Sequence, residues 1–493
     1  MKKLMLIWIL FVATLGLAAA QSLERAPGTS LERQLDWARS QSQASAQETY
    51  WFGYAFRRSM PRSAYVLNHW RMSLRDGVVS TNGRSLLPLL EDPWAGMESE
   101  FGEDPDQMVS KTVGVLLRFN NEQGRPGELE DIVLGNIELP FPLDEHPLVW
   151  AGQVEPAEGF ELMRSLYQSG PSDKARRELA GTAAFHDVPD RVLPFLDRVL
   201  RDDESEKVRR EAAEGLRMVQ RPEAVRLLMR TLGQDQAERV RREAVEALGA
   251  ITIPESQQAL IEVLSRNSEA RLRQEAAEQL RRHQNPGSIE ALRQAAFEDD
   301  NQRVAREAVE TLARFKNEQG LRALRQVLYQ HTDDKVRCEA AESLGRRKDA
   351  PALSLLQEAL GDELPAAVQK EVAESLGRFA PEQSLSSLIG AAENNPHPAV
   401  RREALEQIGR LAAEKALPTL QRVAENDSDY RVQREALEAL LKLPEGRGVD
   451  TVVSIARTHP SLRLRKAAIR ELGDSSHPKA KQALLELAKE LER

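Results

Sequence analysis

Cysteine and aromatic residues are scarce in this sequence. Among 493 residues there is one cysteine, Cys338, and aromatic side chains make up only 5% of the chain. A lone cysteine excludes an internal disulfide, so the fold must be stabilised by packing. All the tryptophans precede residue 155, at Trp8, Trp37, Trp51, Trp70, Trp94 and Trp150. The composition therefore predicts a domain boundary near residue 155.

An excess of positive charge is also missing. The formal net charge is −9, from 68 basic and 77 acidic side chains, and neither side of residue 155 is basic. Proteins that bind nucleic acid along its phosphates carry a basic patch or stripe. The sequence therefore indicates no nucleic-acid partner.

What the chain does contain is one nine-residue motif, repeated along its length. Val208–Leu216 reads VRREAAEGL, and related segments follow at steps of 32 residues. They begin at Val240, Leu272, Val304, Val336, Val368, Val400, Val432 and Leu464, and a weaker copy starts one residue out of register at Ala175. Self-similarity at this period is typical of a solenoid, in which each repeat packs against its neighbours.

Each repeat is predicted to hold two short helices, A (such as Pro222–Leu232) and B (such as Arg239–Leu248). Helix B, with VRREAVEALG at Val240–Gly249, resembles the short HEAT repeats of the phycobilisome-lyase type. The resemblance runs from about Pro156 to the C-terminus. It implies a mainly α fold, a right-handed α-α superhelix (HEAT-like solenoid) of about ten helix pairs.

Helix B carries arginines on its apolar side, where an arginine needs a partner. These are Arg209, Arg241, Arg273, Arg337, Arg401 and Arg465. Aspartates in the A–B turns precede several of them by about six positions, at Asp203, Asp235, Asp299 and Asp427. We infer an Asp–Arg ladder that links adjacent repeats and is interrupted at Ala305, Gln369 and Gln433.

The opposite side of helix B is predicted to be exposed and charged. It carries glutamates in the registers of Glu211 and Glu214, and basic residues in the registers of Lys207 and Arg210. One interpretation is a solvated surface with i,i+4 pairs, each contributing about 0.2–0.5 kcal/mol. The other is a concave groove that binds an extended partner carrying both charges. The predicted contact residues are Arg242, Glu246, Arg271, Glu275, Glu278, Arg303, Arg306, Glu307 and Glu310.

Two enzyme classes share this type of repeat. Phycobilisome lyases attach chromophores in the cytosol, and deoxyhypusine hydroxylases bind two irons through His-Glu pairs on repeat helices. The sequence has no His-Glu dipeptide, Gly-rich phosphate loop or G-x-S-x-G motif. His186-Asp187 comes nearest to a metal pair, but it stands alone between helices, where a turn or capping role is expected. We expect no catalytic residues, cofactor or metal in the repeats.

Residues 1–20 are predicted to be a secretory signal peptide. Lys2 and Lys3 precede the apolar run Leu4–Leu17, and Ala18–Ala20 supplies a cleavage site before Gln21. The alternative is an uncleaved membrane anchor, although the apolar run is short for a span. We expect an exported chain, periplasmic or secreted, without a membrane span after cleavage.

Residues 21–155 are predicted to form a small α+β domain, and residues 156–493 the solenoid. The domain should contain a helix from about Leu31 and strands at Tyr50–Phe56, Thr112–Phe119, Asp131–Leu139 and Leu148–Trp150. The expected function is a non-catalytic scaffold that binds a protein or peptide. The alternative is that the N-terminal domain has a ligand-binding or enzymatic activity, with its tryptophans lining a pocket and the solenoid recruiting a partner.

Overall fold

The computed structural model describes residues 24–25, 30–45, 47–62, 64–67, 70–73, 107–121, 127–137, 139, 141, 143, 146–411 and 414–491. The chain divides into two compact units, Met1–Ala259 and Leu260–Arg493. We call them the N-terminal and the C-terminal unit. The predicted signal peptide lies outside the described residues. Within those residues no helix combines the length and the apolar character needed to cross a membrane.

The N-terminal unit contains a seven-stranded sheet. Its strands are β1 Glu24–Arg25, β2 Thr49–Pro61, β3 Ala64–Leu67, β4 Trp70–Ser73, β5 Met108–Asn120, β6 Glu128–Asn136 and β7 Leu148–Gln153. Their order is β1-β7-β2-β5-β6-β3-β4. Strand β7 pairs in parallel with β1 and β2, and the other pairs are antiparallel. The predicted α+β character and the four predicted strands are confirmed.

The aromatic residues of the sheet form its core. Trp51 and Trp150 are each 2% exposed, and they pack with Leu116 and Phe141. Their indole rings therefore fill the interior and do not line a pocket. Trp94 and the indole ring of Trp70, which were considered for the same pocket, lie outside the described residues.

Helices follow the sheet in pairs. Helix α1, Leu31–Ala44, precedes β2, and the repeats of the N-terminal unit comprise α2 Pro156–Gln168, α3 Asp173–Phe185, α4 Pro189–Asp202, α5 Glu206–Leu216, α6 Pro222–Gln234 and α7 Glu238–Ala250. Helix α8, Pro254–Arg266, contains the division between the two units. Several A helices begin with proline, which lacks the N–H that a first turn leaves unpaired. This explains why helix starts were readable from the sequence.

The C-terminal unit continues the same alternation. Its helices are α9 Ala270–Gln279, α10 Pro286–Glu298, α11 Gln302–Arg314, α12 Glu318–Gln330, α13 Asp334–Arg347, α14 Ala350–Gly361, α15 Ala366–Leu376, α16 Pro381–Asn394, α17 Pro398–Arg410, α18 Leu417–Asn426, α19 Tyr430–Lys442, α20 Val449–Thr458, α21 Leu462–Asp474 and α22 Pro478–Leu491. From residue 156 onward the described residues thus form ten helix pairs and a final helix, so the predicted HEAT-like solenoid is confirmed.

Two sets of equivalent positions, which recur every 32 residues on helices A, hold the helices together. The aliphatic register of helix A, for example Leu228 and Leu356, is 0% exposed. So is the small register, for example Ala224 and Ser384, where the helices approach closely. Burial of each leucine contributes roughly 1.5–3 kcal/mol. The periodic pattern read from the sequence is therefore the apolar core of the solenoid.

The first repeat packs against the edge of the sheet. Lys174 on α3 donates to the carbonyl of Glu130 at 2.8 Å, and the Glu178 carboxylate accepts from the Ile132 N–H at 3.2 Å. Among the described residues, β3 pairs with β6 only at Leu67 and Gly135, so no described strand lies beside the part of β6 that contacts α3. An open edge is a template for unwanted pairing. Helix α3 covers it, and the sheet occupies the place of a preceding repeat.

His186 lies inside this junction. Its Nε2 is 3.0 Å from the Tyr54 hydroxyl, and its ring stacks on Phe56 with centroids 4.3 Å apart. Burial lowers the pKa of His186 to about 3, so the imidazole is neutral. A Cβ at Gly159 would come within 2.6 Å of Nε2, so this helix needs glycine here. The nearest sequence candidate for a metal pair is thus a packing residue.

Candidate functional site

The arginines on helix B form the predicted ladder between repeats. Arg209 on α5 bonds both oxygens of Asp235 at 2.7 and 3.1 Å, and Asp235 belongs to the next A–B turn. Arg273 bonds Asp299 in the same way at 2.7 and 2.8 Å. Burial alone would raise the pKa of Asp299, but hydrogen bonds from Arg273 hold it below its usual range. The ladder is confirmed at Arg209, Arg273 and Arg401, which bond the aspartate of the next turn, whereas Arg337 bonds the carbonyl of Leu328 and the carboxylate of Asp334 in its own repeat.

The interruptions of the ladder contain other hydrogen bonds. Where Arg is replaced by Gln369, the next turn has Asn395, and the two amides bond at 3.0 Å. Where Arg is replaced by Ala305, His331 of the next turn reaches back to the carbonyl of Ala296 at 3.0 Å. At these two interruptions other hydrogen bonds thus replace the Arg–Asp pair, and the carbonyls of Ala296 and Asp362 stay bonded.

The glutamates in the register of Glu211 lie between adjacent B helices. Glu339 and Glu403 are each only 5% exposed. They face the basic row of the preceding repeat, as in the Arg306–Glu339 pair at 2.6 Å and the Lys370–Glu403 pair at 3.4 Å. The prediction that this row is exposed is wrong, because a helical wheel describes one helix and omits its neighbour. The pairing crosses between repeats, in addition to i,i+4 pairs within a helix.

The nine predicted contact residues have three different environments. Arg242, Arg271, Arg303 and Arg306 are exposed. The side chains of Glu246, Glu278 and Glu310 are between 36% and 40% exposed. Glu275 and Glu307 are half-buried, and Glu307 accepts a hydrogen bond from Gln274 at 3.0 Å. Seven of the nine are therefore accessible to a partner.

A further basic row near the C-terminal ends of helices B was missed by sequence reasoning. Its members pair with the Glu214 register, as in Arg314–Glu310 at 3.2 Å, Arg410–Glu406 at 2.7 Å and Lys442–Glu438 at 2.8 Å. The available signal was a cation in the last helical turn, four residues after a glutamate. The exposed surface of helices B, which we call the B face, thus carries basic, acidic and basic rows in succession.

Burial between the helices changes the acidity of the Glu211 register. Burial and the nearby Glu214 raise the pKa of Glu211 to about 7. Burial, Glu214 and Glu246 raise the pKa of Glu243 to about 7. The opposing arginines do not offset this rise in pKa, because the nitrogen–oxygen distances are 4.0 Å in the Arg177–Glu211 pair and 3.9 Å in the Arg210–Glu243 pair. These carboxylates are therefore ionised at a cost to stability.

Replacing Glu211 and Glu243 together by glutamine should stabilise the N-terminal unit at pH 8 but not at pH 4.5. When folding raises the pKa of a carboxyl, its protonated form stabilises the folded state, and this contribution is complete below the pKa of the unfolded chain. The contribution is lost as the pH rises through the folded-state pKa of about 7. We expect a gain on the order of 1 kcal/mol per site at pH 8, because partial exposure screens the charges. Urea unfolding at the two pH values measures it, with exposed Glu223→Gln as control. An equal effect at both pH values would contradict the assignment.

The described residues offer hydrogen bonds and ion pairs more readily than covalent chemistry. Among them, no group of three or more His, Cys, Asp or Glu side chains could hold a metal ion. Burial and nearby Glu371 raise the pKa of the Cys338 thiol to about 11, which makes it a poor nucleophile at neutral pH. The B face is thus the best candidate site in this part of the chain, and it offers exposed charged and hydrogen-bonding groups.

A family model agrees with the repeats seen in the fold, and the solved structures that are similar to the chain are distant. No curated protein sequence matches the chain. Human deoxyhypusine hydroxylase is similar at 23% identity and a TM-score of 0.25, over 52% of this chain and 96% of that one. The karyopherin Kap121p, bound to the extreme C-terminus of the protein phosphatase Cdc14p, is similar at 16% identity and a TM-score of 0.41, over 64% of this chain. The match spans only 41% of the karyopherin's length.

The HEAT-repeat model matches residues 192–281, 289–366, 363–441 and 423–492. With more than half of its length covered by that model, the chain belongs to the HEAT-repeat proteins.

Proposed function

We propose that this protein is an exported, non-catalytic scaffold that binds an extended segment of a protein partner along the B face. Export rests on the signal-like residues 1–20, and an uncleaved, anchored form is the alternative. The binding proposal rests on one observation: exposed arginines and half-exposed glutamates recur at the same positions of successive B helices. Within each of the two units, an extended chain can meet such a surface once per repeat.

The charge pattern favours a partner with both signs of charge. In the C-terminal unit, Arg306 and Arg314 lie on either side of the half-exposed Glu310 along α11. The Arg314–Glu310 pair is exposed on both sides, and surface ion pairs of this kind contribute little to stability, with a median of about 0–1 kcal/mol. Exchanging them for intermolecular pairs therefore costs the fold little. Complementary charge would set the register and the association rate of the partner more than its affinity.

Glu246, Glu278 and Glu310 replaced together by glutamine should weaken partner capture at least tenfold, about 1.4 kcal/mol. Stability should fall by at most about 1 kcal/mol, because each pair contributes a few tenths. The measurement is quantitative capture from the exported fraction by the full chain, with N-terminal sequencing to test for a start at Gln21. Rising salt should weaken wild-type capture in the same direction.

A matched triple variant on helices A is the control for this experiment. Glu223, Glu290 and Glu318 are 51%, 63% and 79% exposed at the side chain and lie on helices α6, α10 and α12. Changing these three to glutamine removes the same charge from the other helices of the repeats. If every captured protein binds the two triple variants with equal affinity, the B face is not the binding surface.

A further inference from the structure

Two successive A helices of the C-terminal unit carry an aromatic ring in the same register. On α10, Phe297 lies 5.3 Å from the ring of His331 in the next turn, with the Arg293 guanidinium 5.9 Å from its centroid. On α12, the Tyr329 hydroxyl donates to Asp362 at 2.7 Å, and the Arg325 guanidinium lies 5.2 Å from the ring. In each case the ring connects one A helix to the turn that follows the next A helix.

The interval between α14 and α16 lacks this bridge. Gly361 stands in the register of Tyr329, and Gln357 stands in the register of Arg325. On the facing helix, Gly390 replaces Glu358, which bonds Arg325 at 2.7 Å in the preceding interval. A Cβ at Gly361 or Gly390 would meet no atom within 4 Å. Neither glycine has a positive φ, so neither is required by its backbone conformation.

These replacements leave a cleft of about 840 Å³. This volume lies within the range of ligand pockets, about 300–1,000 Å³. Its apolar lining includes Leu360, Leu364 and Ala391, which are each 6–7% exposed. The buried Gln369 and Asn395 also line it, and their amides bond each other. The cleft thus offers an apolar wall with a polar margin.

Asn394 occupies the register of Asp362, the residue that accepts from the Tyr329 hydroxyl. It also lines the cleft. Its amide nitrogen donates to the carbonyl of Gly390 at 3.2 Å, which directs that half of the amide toward its own helix. The amide oxygen remains a hydrogen-bond acceptor. The chain therefore repeats the acceptor in this interval but omits the tyrosyl ring.

We propose that this cleft binds a tyrosyl side chain supplied by a segment of a partner protein. The ring would lie against Leu360 and Ala391, in the place that Tyr329 occupies one repeat earlier, and its hydroxyl would donate to Asn394. The volume exceeds that of one ring and accommodates the residues beside the tyrosine. This site is separate from the B face and does not depend on the function proposed above.

The test uses the full chain and the peptide acetyl-Ala-Tyr-Ala-amide with 3-fluorotyrosine, followed by ¹⁹F NMR titration. The wild type should bind it, and the leucine analogue should compete at least tenfold more weakly, because leucine lacks the hydroxyl and the flat ring. Gly361→Tyr places the missing ring in the cleft and should weaken binding at least tenfold. Ser354→Tyr adds the same side chain to an exposed position of α14 outside the cleft and should leave binding within twofold.

A second variant tests the proposal in the opposite direction. Tyr329→Gly combined with Arg325→Gln and Glu358→Gly makes the same three replacements between α12 and α14, and it should open an equivalent cleft and raise the number of peptides bound from one to two. Circular dichroism of each variant checks that the helices are retained. Absence of peptide binding by the wild type, equal competition by the leucine analogue, or unchanged binding by Gly361→Tyr would each overturn the proposal.

Discussion

Replacing Asp427 by alanine should destabilise the region of α17 and α19 by about 2–4 kcal/mol. Arg401 is 8% exposed and bonds both oxygens of Asp427 at 2.8 Å. Removing the carboxylate leaves a largely buried guanidinium without its counter-charge, which is among the costlier lesions in proteins. The Asp429 N–H also loses its acceptor, at 2.8 Å. Hydrogen exchange of amides in the two helices measures the local free energy of opening.

The chain itself supplies the rescue for this variant. At Gln369 and Asn395 a neutral amide pair fills the same position of the ladder. Combining Arg401→Gln with Asp427→Asn should therefore recover most of the loss, to within about 1 kcal/mol of the wild type. Asp450→Ala is the surface control, since this side chain is 79% exposed and should cost less than about 0.5 kcal/mol. A loss no larger at Asp427 than at Asp450 would show that the ladder does not stabilise the repeats.

Arg58→Met should destabilise the sheet and the first repeats together, by about 3 kcal/mol. Arg58 is 8% exposed, and its guanidinium donates to the carbonyls of Phe185, of Ala184 at 3.4 Å and of Met218 at 3.3 Å. Methionine preserves the apolar volume but leaves buried carbonyls at the ends of α3 and α5 without these donors. Hydrogen bonds from a charged group contribute about 1.5–3 kcal/mol each, and unpaired buried acceptors add a penalty.

Two probes decide whether the loss is shared. Fluorescence of Trp51 and Trp150 reports the sheet, and amide exchange in α3 reports the first repeat. Both should show the destabilisation, because Arg58 joins the two regions. The neighbouring exposed Arg57, changed to methionine, should cost less than about 0.5 kcal/mol. A change confined to the tryptophans would show that the sheet and the repeats unfold independently.

The solenoid could be predicted from the sequence because its contacts recur with the same period as its residues. Residues such as Leu228 recur every 32 positions, and each packs only within its own repeat or against the next. The Asp–Arg ladder was readable for the same reason. An arginine on an apolar stripe needs a partner, and three of these arginines bond an aspartate 26 positions later, as Arg209 bonds Asp235.

The acidic register was misplaced because the wheel considers one helix at a time. Glu339 lies on the polar side of its own helix, yet the preceding B helix covers it and brings Arg306 to within 2.6 Å. The sheet was harder still. Its two-residue strand β1 pairs with the distant strand β7, and the contacts of Lys174 and Glu178 with β6 join residues more than forty positions apart. No period relates those residues, so no pattern in the sequence indicated them.

The ladder has a consequence for the order of the repeats along the chain. Each ladder contact joins helix B of one repeat to the A–B turn of the next repeat. A repeat therefore has two ends, and each end must match its neighbour. Arg401 pairs with a carboxylate and Gln369 with an amide, whereas the turn after Ala305 carries a histidine that bonds a helix-end carbonyl. Removing a 32-residue repeat can therefore set a guanidinium against a histidine, or an amide against an aspartate. The repeats look interchangeable in their apolar core, but these contacts make their succession specific.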